Sequence, residues 1–120
     1  MTGVLVIAHG SRARETETSL DAVLEMVSTK LPDTIIESAF MEFSERTVDK
    51  GISALAAAGV TEIKVVPYFL FMGIHMKEDI PALVAENAEN YPGIKIKLGQ
   101  HLGVDERLAD ILVHRIQNIT

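Results

Sequence analysis

The sequence has no cysteine among its 120 residues. This absence excludes disulfide bonds, thiolate nucleophiles, thiolate zinc sites and cysteine-ligated iron–sulfur clusters, so any metal ion must be held by nitrogen and oxygen atoms. The chain also lacks the run of roughly 18 apolar residues that a membrane-spanning helix requires. Its start has neither the basic segment nor the cleavage site of a secretory signal. We therefore expect a cytoplasmic protein that does not bind membranes.

Positive charge is scarce as well. Eleven Lys and Arg stand against 17 Asp and Glu, which gives a formal net charge of −6. No basic stripe with interleaved aromatic residues is present, so we expect no nucleic-acid partner. The hydrophobic content of 48% is enough for one compact core, and the length fits the roughly 100–200 residues of one domain. We predict a single domain over residues 1–120, without repeats or linkers.

Apolar runs alternate with segments of helical periodicity along the whole chain. This alternation predicts an α/β fold in which right-handed βαβ crossovers build a single open four-stranded parallel sheet with helices on both faces, a flavodoxin-like topology. Thr47 is the predicted N-cap of the second helix, and Gly59 supplies the left-handed residue after it. The last strand alternates in polarity, which is typical of a sheet edge. The predicted strands cover residues 4–8, 34–41, 63–69 and 94–98, and the predicted helices end near residues 30, 58, 90 and 117.

An ionisable side chain follows each predicted strand. These side chains are His9, Glu42, His75 and His101. The carboxyl ends of parallel strands share one edge of the sheet, where such folds bind their ligands. His75 is the strongest candidate, because it follows Gly73 in a segment too apolar for an ordinary surface loop. It is expected just before the third helix, which the pattern begins at residue 76 or 77.

The same positions also have purely structural interpretations. His9 fits a turn residue bonded to a neighbouring backbone, Glu42 alone fits a solvated loop acid, and His101 lies in an ordinary loop sequence. His114 fits a surface position on the last helix. The apolar run over residues 69–72 fits either the protein core or the wall of a site for a flat apolar ligand.

Two imidazoles and a carboxylate have a defined chemistry if the fold brings them together. This ligand set suits cobalt(II), iron(II) or nickel(II), whereas magnesium and calcium prefer all-oxygen ligands. A neutral imidazole also accepts a proton near pH 7. These residues at the carboxyl ends of the strands therefore predict a site that combines metal binding with proton transfer.

Two segments carry a resemblance to a known family. Residues 4–12 read VLVIAHGSR, and residues 67–81 read PYFLFMGIHMKEDIP. Both resemble the short form of the sirohydrochlorin cobaltochelatases, a group of class II tetrapyrrole chelatases, and the likeness extends to residues 41–43 and 98–99. One departure is Arg46, where many relatives carry proline.

The resemblance implies a chelatase-like fold and a lyase that inserts cobalt into sirohydrochlorin for cobalamin biosynthesis. It implies that His9 and His75 bind the incoming ion and take up pyrrole protons, with Glu42 as an acid at the cleft. Short members pair as homodimers and bind the tetrapyrrole in a cleft between subunits. The divalent metal is then a substrate, and no cofactor is permanently bound.

The macrocycle itself suggests which side chains hold it. Its flat apolar centre suits the run from Phe69 to Met72. The carboxylates at its periphery suit Arg12 and Lys77, together with free N–H groups at helix N-termini. The predicted tetrapyrrole-binding residues are Ser11, Arg12, Phe69, Leu70, Phe71, Met72, Gly73 and Ile74.

Other functions fit parts of the pattern. Iron would make the protein a sirohydrochlorin ferrochelatase of siroheme synthesis, nickel would make it a nickel chelatase, and the same pocket without turnover would make a tetrapyrrole or metal carrier. Histidine phosphatases also place His-Gly after a first strand, but they need an arginine where this chain has Ala8. Receiver domains need paired acids after that strand, and none are present.

Overall fold

The structure is a computed structural model that describes residues 1–120. Strands and helices alternate without exception, as the sequence predicts. In chain order they are β1 (Thr2–Ala8), α1 (Glu15–Lys30), β2 (Ile35–Phe40), α2 (Val48–Ala57), β3 (Glu62–Pro67), α3 (Ile74–Asn90), β4 (Lys95–Leu98) and α4 (Glu106–Gln117).

The four strands form one parallel sheet in the order β2-β1-β3-β4. Val6 in β1 pairs with Ser38 of β2 on one side and with Val66 of β3 on the other. The predicted open parallel sheet is confirmed, and β4 lies at its edge as expected. Because all strands run in the same direction, their carboxyl ends share one edge, which we call the carboxyl rim.

The side chains of β1 alternate between two apolar layers. Leu5 and Ile7 belong to the larger cluster, which also contains buried residues of α2 and α3. Val6 and Ala8 point to the other face, where α1 contributes Leu20 and Leu24. Burial on both faces explains why β1 is apolar at every position from 4 to 8, since a central parallel strand has no solvent-exposed face.

The predicted helix ends of α2 are confirmed. The Thr47 hydroxyl accepts a hydrogen bond from the Lys50 N–H at 3.3 Å, and Gly59 adopts a φ of 85°. The start of α3 differs from the prediction, because the helix begins at Ile74 and so includes His75 in its first turn. Gly73 permits this earlier start as an extended N-cap residue.

The strand β3 ends at Pro67, two residues earlier than predicted. The Tyr68 N–H still donates to the Ile7 carbonyl at 2.7 Å, after which the chain leaves the sheet. Phe69 therefore belongs to the connection between β3 and α3, on the carboxyl rim.

Helix α4 is the one helix of the chain without a buried residue. Leu108, Ile111, Leu112 and Ile116 recur at helical spacing, and we call them the α4 apolar face. Leu108 is half-buried, but the other three are 50%, 61% and 59% exposed. A helix with such a stripe normally buries it against the core, so α4 does not cover the sheet as a final helix would be expected to.

The start of α4 is fixed by Asp105. Its carboxylate accepts a hydrogen bond from the Arg107 N–H at 2.9 Å and two more from the Arg107 guanidinium. These hydrogen bonds hold the pKa of Asp105 well below its usual range. None of the helices combines the length and apolar character that crossing a bilayer requires.

Candidate functional site

His9 and Glu42 meet on the carboxyl rim although 33 residues separate them in sequence. Backbone hydrogen bonds continue the pairing of β1 and β2 beyond their ends, from Met41 N–H to the Ala8 carbonyl at 3.0 Å and from Glu42 N–H to the His9 carbonyl at 3.1 Å. This register places the two side chains next to each other. His9 Nε2 lies 2.7 Å from Glu42 Oε1, and the side chains are 59% and 48% exposed.

Gly10 allows the two loops to approach this closely. Its φ is 99°, a conformation that L side chains rarely adopt, and a Cβ atom there would overlap the carbonyl oxygen of Glu42. A glycine at this position therefore has a physical cause, which is the close passage of the Glu42 backbone.

We expect Gly10→Ala to lower the free energy of unfolding by about 2 kcal/mol or more, because the backbone would be strained and the Glu42 loop displaced. Thermal and urea unfolding measure this change. Gly93→Ala is the matched control, since no atom lies within 4 Å of a Cβ built there. Equal stabilities of the two variants would contradict the close approach.

The His9–Glu42 contact determines which ring nitrogen is available. An ionised carboxylate only accepts hydrogen bonds, so in neutral His9 the proton lies on Nε2 and the lone pair remains on Nδ1. The ring also stacks on Phe69, with centroids 6.0 Å apart and 27° between the planes. Phe69 is buried in the larger apolar cluster. The imidazole is therefore held by stacking on a core residue and by its contact with the Glu42 carboxylate.

His75 occupies a different place from the other two predicted ligands. It lies exposed in the first turn of α3, at the end of the segment that follows β3. No group of three or more His, Asp or Glu side chains is arranged to hold a metal ion within the chain. The structure thus brings His9 and Glu42 together but does not gather His75 with them.

The predicted tetrapyrrole-binding residues that follow β3, residues 69–74, divide into two sets. Phe71 and Ile74 are 85% and 77% exposed, and Leu70 and Gly73 are also exposed. Phe69 is part of the core, and Met72 is half-buried against it. Within this segment the apolar side chains open to a ligand are Leu70, Phe71 and Ile74, whereas Phe69 packs into the core beneath the rim.

Two cavities lie among the loops of the carboxyl rim, and His9 lines neither of them. The polar cavity, of about 670 Å³, lies between the loops that follow β1 and β2, and it is lined by Ser11, Arg12, Arg14, Glu17, Thr18, Asp21, Phe43, Ser44, Glu45 and Arg46. The second cavity, of about 430 Å³, is lined by Leu70, Phe71, Met72, Lys77, Gln100, His101, Gly103 and Val104. The first cavity thus offers mainly polar groups, and half of the residues that line the second are hydrophobic.

The sequence pattern did not point to Phe43. This residue adopts a φ of 58°, and its ring lies 4.9 Å below the Arg12 guanidinium carbon. Such a cation–π contact fixes the direction of Arg12. Of the remaining histidines, His101 lines the second cavity, whereas His114 lies on α4 beside Arg115.

The CbiX family model matches residues 3–119, nearly the whole chain. The chain belongs to the CbiX family. The family expected from the two motifs is thereby confirmed.

The similar proteins with curated names include chelatases named for two metals. The chain is 38% identical over 116 residues to the sirohydrochlorin ferrochelatase of Priestia megaterium, covering 97% of this chain and 44% of that protein. It is 33% identical over 122 residues to the sirohydrochlorin cobaltochelatase of Methanosarcina acetivorans, covering 96% of this chain and 94% of that protein.

A solved structure supports the same fold assignment. The sirohydrochlorin chelatase SirB from Bacillus subtilis subspecies spizizenii, in complex with cobalt, superposes with a TM-score of 0.89 and 34% identity. The alignment covers 98% of this chain and 50% of SirB. The chain thus spans about half the length of SirB and of the Priestia ferrochelatase, and nearly all of the Methanosarcina cobaltochelatase.

Proposed function

We propose that this protein is a sirohydrochlorin chelatase that inserts a divalent metal ion into the tetrapyrrole. The observation that carries the proposal is the His9–Glu42 pair, 2.7 Å apart on the rim of a CbiX-family chain. Both the metal and the tetrapyrrole are substrates. Cobalt, for cobalamin biosynthesis, is our first choice because the cobaltochelatase relative matches this chain over 94% of its own length.

Iron and nickel are the alternative metals. A relative named as a ferrochelatase is 38% identical to this chain, and imidazole nitrogens bind iron(II), cobalt(II) and nickel(II) alike. The imidazole and carboxylate groups of the rim therefore fit all three of these divalent ions. Which of them is used depends on the metal that the cell supplies.

Metal insertion requires the loss of two N–H protons from the macrocycle. The free lone pair on His9 Nδ1 binds the ion or accepts one of these protons. The Glu42 carboxylate accepts a hydrogen bond from His9 Nε2–H, which fixes the tautomer and the orientation of the ring. His75 supplies the second imidazole from the same rim, where its side chain is exposed.

The surroundings of the pair suit a large, flat polycarboxylate. The exposed Leu70, Phe71 and Ile74 pack against the face of the macrocycle. Arg12 and Lys77 meet its carboxylates, with Ser11 as an additional hydrogen-bond donor.

We further propose that two copies of this chain form a homodimer through the α4 apolar face. Its exposed residues have no cover within the chain, and exposed apolar surface of this kind marks an interface. We assign a second copy of the chain as the partner that covers this face, because SirB contains this fold in about half of its length. A second copy would supply the remaining half.

Optical spectra of sirohydrochlorin mixed with cobalt(II), iron(II) or nickel(II) test the proposed activity. With protein far below the tetrapyrrole concentration, a chelatase converts all of the tetrapyrrole faster than a protein-free mixture does. A carrier changes the spectrum only up to the amount of protein added. Conversion no faster than without protein, for all three metals, would contradict the proposal.

Glu42→Gln should weaken metal insertion more than macrocycle binding. Glutamine keeps an oxygen that accepts the His9 proton but removes the charge, so we expect kcat to fall roughly 10–100-fold. The affinity for the metal-free tetrapyrrole, measured by absorption titration, should change by less than about twofold because shape is retained. The exposed Glu25 on α1 gives a charge-matched control, Glu25→Gln, and equal losses of affinity and turnover in Glu42→Gln would exclude a role at the metal.

A further inference from the structure

The loop between β2 and α2 carries Glu42, and Arg46 closes this loop. The Phe40 N–H donates to the Arg46 carbonyl at 2.8 Å, and the Arg46 N–H donates to the Ser44 hydroxyl at 3.0 Å. These bonds fold residues 41–46 into a compact turn whose two ends are held together. The position of Glu42 therefore depends on where this turn is anchored.

The Arg46 side chain anchors the turn to helix α1. Its Nη1 donates to both carboxylate oxygens of Asp21, at 3.1 and 3.3 Å. Its Nε lies 3.2 Å from Glu17 Oε1, and the guanidinium carbon lies 5.1 Å above the Phe40 ring. The cation thus joins the Glu42 loop to two successive turns of α1.

Arg46 lines the polar cavity, but its guanidinium is largely committed to contacts within the protein. Its Nε and Nη2 atoms are inaccessible and make no hydrogen bond, while Nη1 already serves Asp21. Glu17 and Asp21 stand four residues apart on one helix face, where two like charges repel each other. The single positive charge of Arg46 lies beside both carboxylates and reduces their mutual repulsion.

The anchored helix is the one that follows His9. The loop from His9 to Arg14 leads directly into α1, so Arg46 ties the Glu42 loop to the helix that follows the His9 loop. We infer that Arg46 is a positioning residue that holds Glu42 against His9. This inference deepens the proposed chelatase function and rests on it for its effect on turnover.

The test compares Arg46→Gln and Arg46→Lys with the unmodified protein. We expect Arg46→Gln to lower kcat about tenfold because a small displacement of a reacting group is costly, with KM for the tetrapyrrole changed less than twofold. Lysine keeps the charge but not the planar fork, so Arg46→Lys should recover part of the loss. Glu17→Ala combined with Asp21→Ala should reproduce the defect, and adding Arg46→Gln to that pair should change little further.

A second readout does not depend on turnover. Long-range proton–nitrogen NMR spectra of the histidine rings, with His9 assigned by its absence in His9→Ala, report the state of Nε2 in the metal-free protein. We expect Arg46→Gln to shift or broaden the His9 signal and Lys50→Gln, an exposed charge control on α2, to leave it unchanged. If the unmodified protein fails to insert metal, the proposed function fails, and this spectrum still decides the positioning role.

The outcome that would overturn the inference is equally specific. If Arg46→Gln lowers only the melting temperature, while the folded protein keeps the normal His9 signal and, where there is turnover, the normal kcat, Arg46 is merely structural. Should Arg46→Gln fail to fold, Arg46→Lys with the same two readouts makes the decision. An unchanged His9 signal and kcat in the lysine variant would then count against positioning.

Discussion

His75→Ala and His9→Ala should each abolish metal insertion while the protein remains folded. Removing a ligand and proton acceptor is expected to lower turnover by roughly 100- to 10,000-fold. His75 is exposed in the first turn of α3, so its loss should change the free energy of unfolding by less than about 0.5 kcal/mol. His9 also bonds Glu42 and stacks on Phe69, and its loss should cost about 1 kcal/mol.

The double variant shows whether the two histidines act together. Groups that act as one unit are strongly non-additive, so His9→Ala with His75→Ala should be little worse than either single change. Turnover with cobalt(II) and thermal melting are measured on the same preparations at about pH 8, above the usual pKa range of imidazole. His114→Ala, on the side of α4 opposite its apolar face, is the control. Normal turnover by folded His75→Ala protein would identify His75 as structural, and multiplying losses would assign the two rings separate tasks.

Leu112→Glu combined with Ile116→Glu should convert a dimer into monomers and stop metal insertion. Both side chains are well exposed in the single chain, so two carboxylates cost little there. In an interface between copies the same carboxylates would be buried without partners, which is strongly unfavourable. Light scattering at micromolar protein should report twice 13.1 kDa before the change and 13.1 kDa after it.

Loss of turnover on dissociation tests whether the cleft needs both copies. One chain offers a single apolar wall at Leu70, Phe71 and Ile74, so a monomer would leave the other face of the macrocycle in water. Asp110→Lys changes a charge on the polar side of α4 and should leave the dimer intact. An unmodified protein that is monomeric and fully active would contradict the homodimer, whereas a dimeric Leu112→Glu, Ile116→Glu variant would place the interface elsewhere.

The sequence by itself determined the alternating fold and the chemistry of the carboxyl rim. Uniformly apolar runs such as residues 4–8 mark buried parallel strands, and helix ends follow from local rules at Thr47 and Gly59. These features depend on neighbours within one or two turns, which is why a single sequence contains them. The same locality let His9, Glu42 and His75 be recognised as strand-exit residues.

Only the tertiary structure decided which of these residues meet. The sheet order places β1 between β2 and β3, and this order brings Glu42 to His9 and Phe69 beneath the imidazole. The periodicity of Phe69 is the same in a core and in a ligand wall, so its burial depends on packing. The exposure of the α4 apolar face and the anchoring of Arg46 to α1 likewise depend on how distant segments pack, which no local pattern specifies.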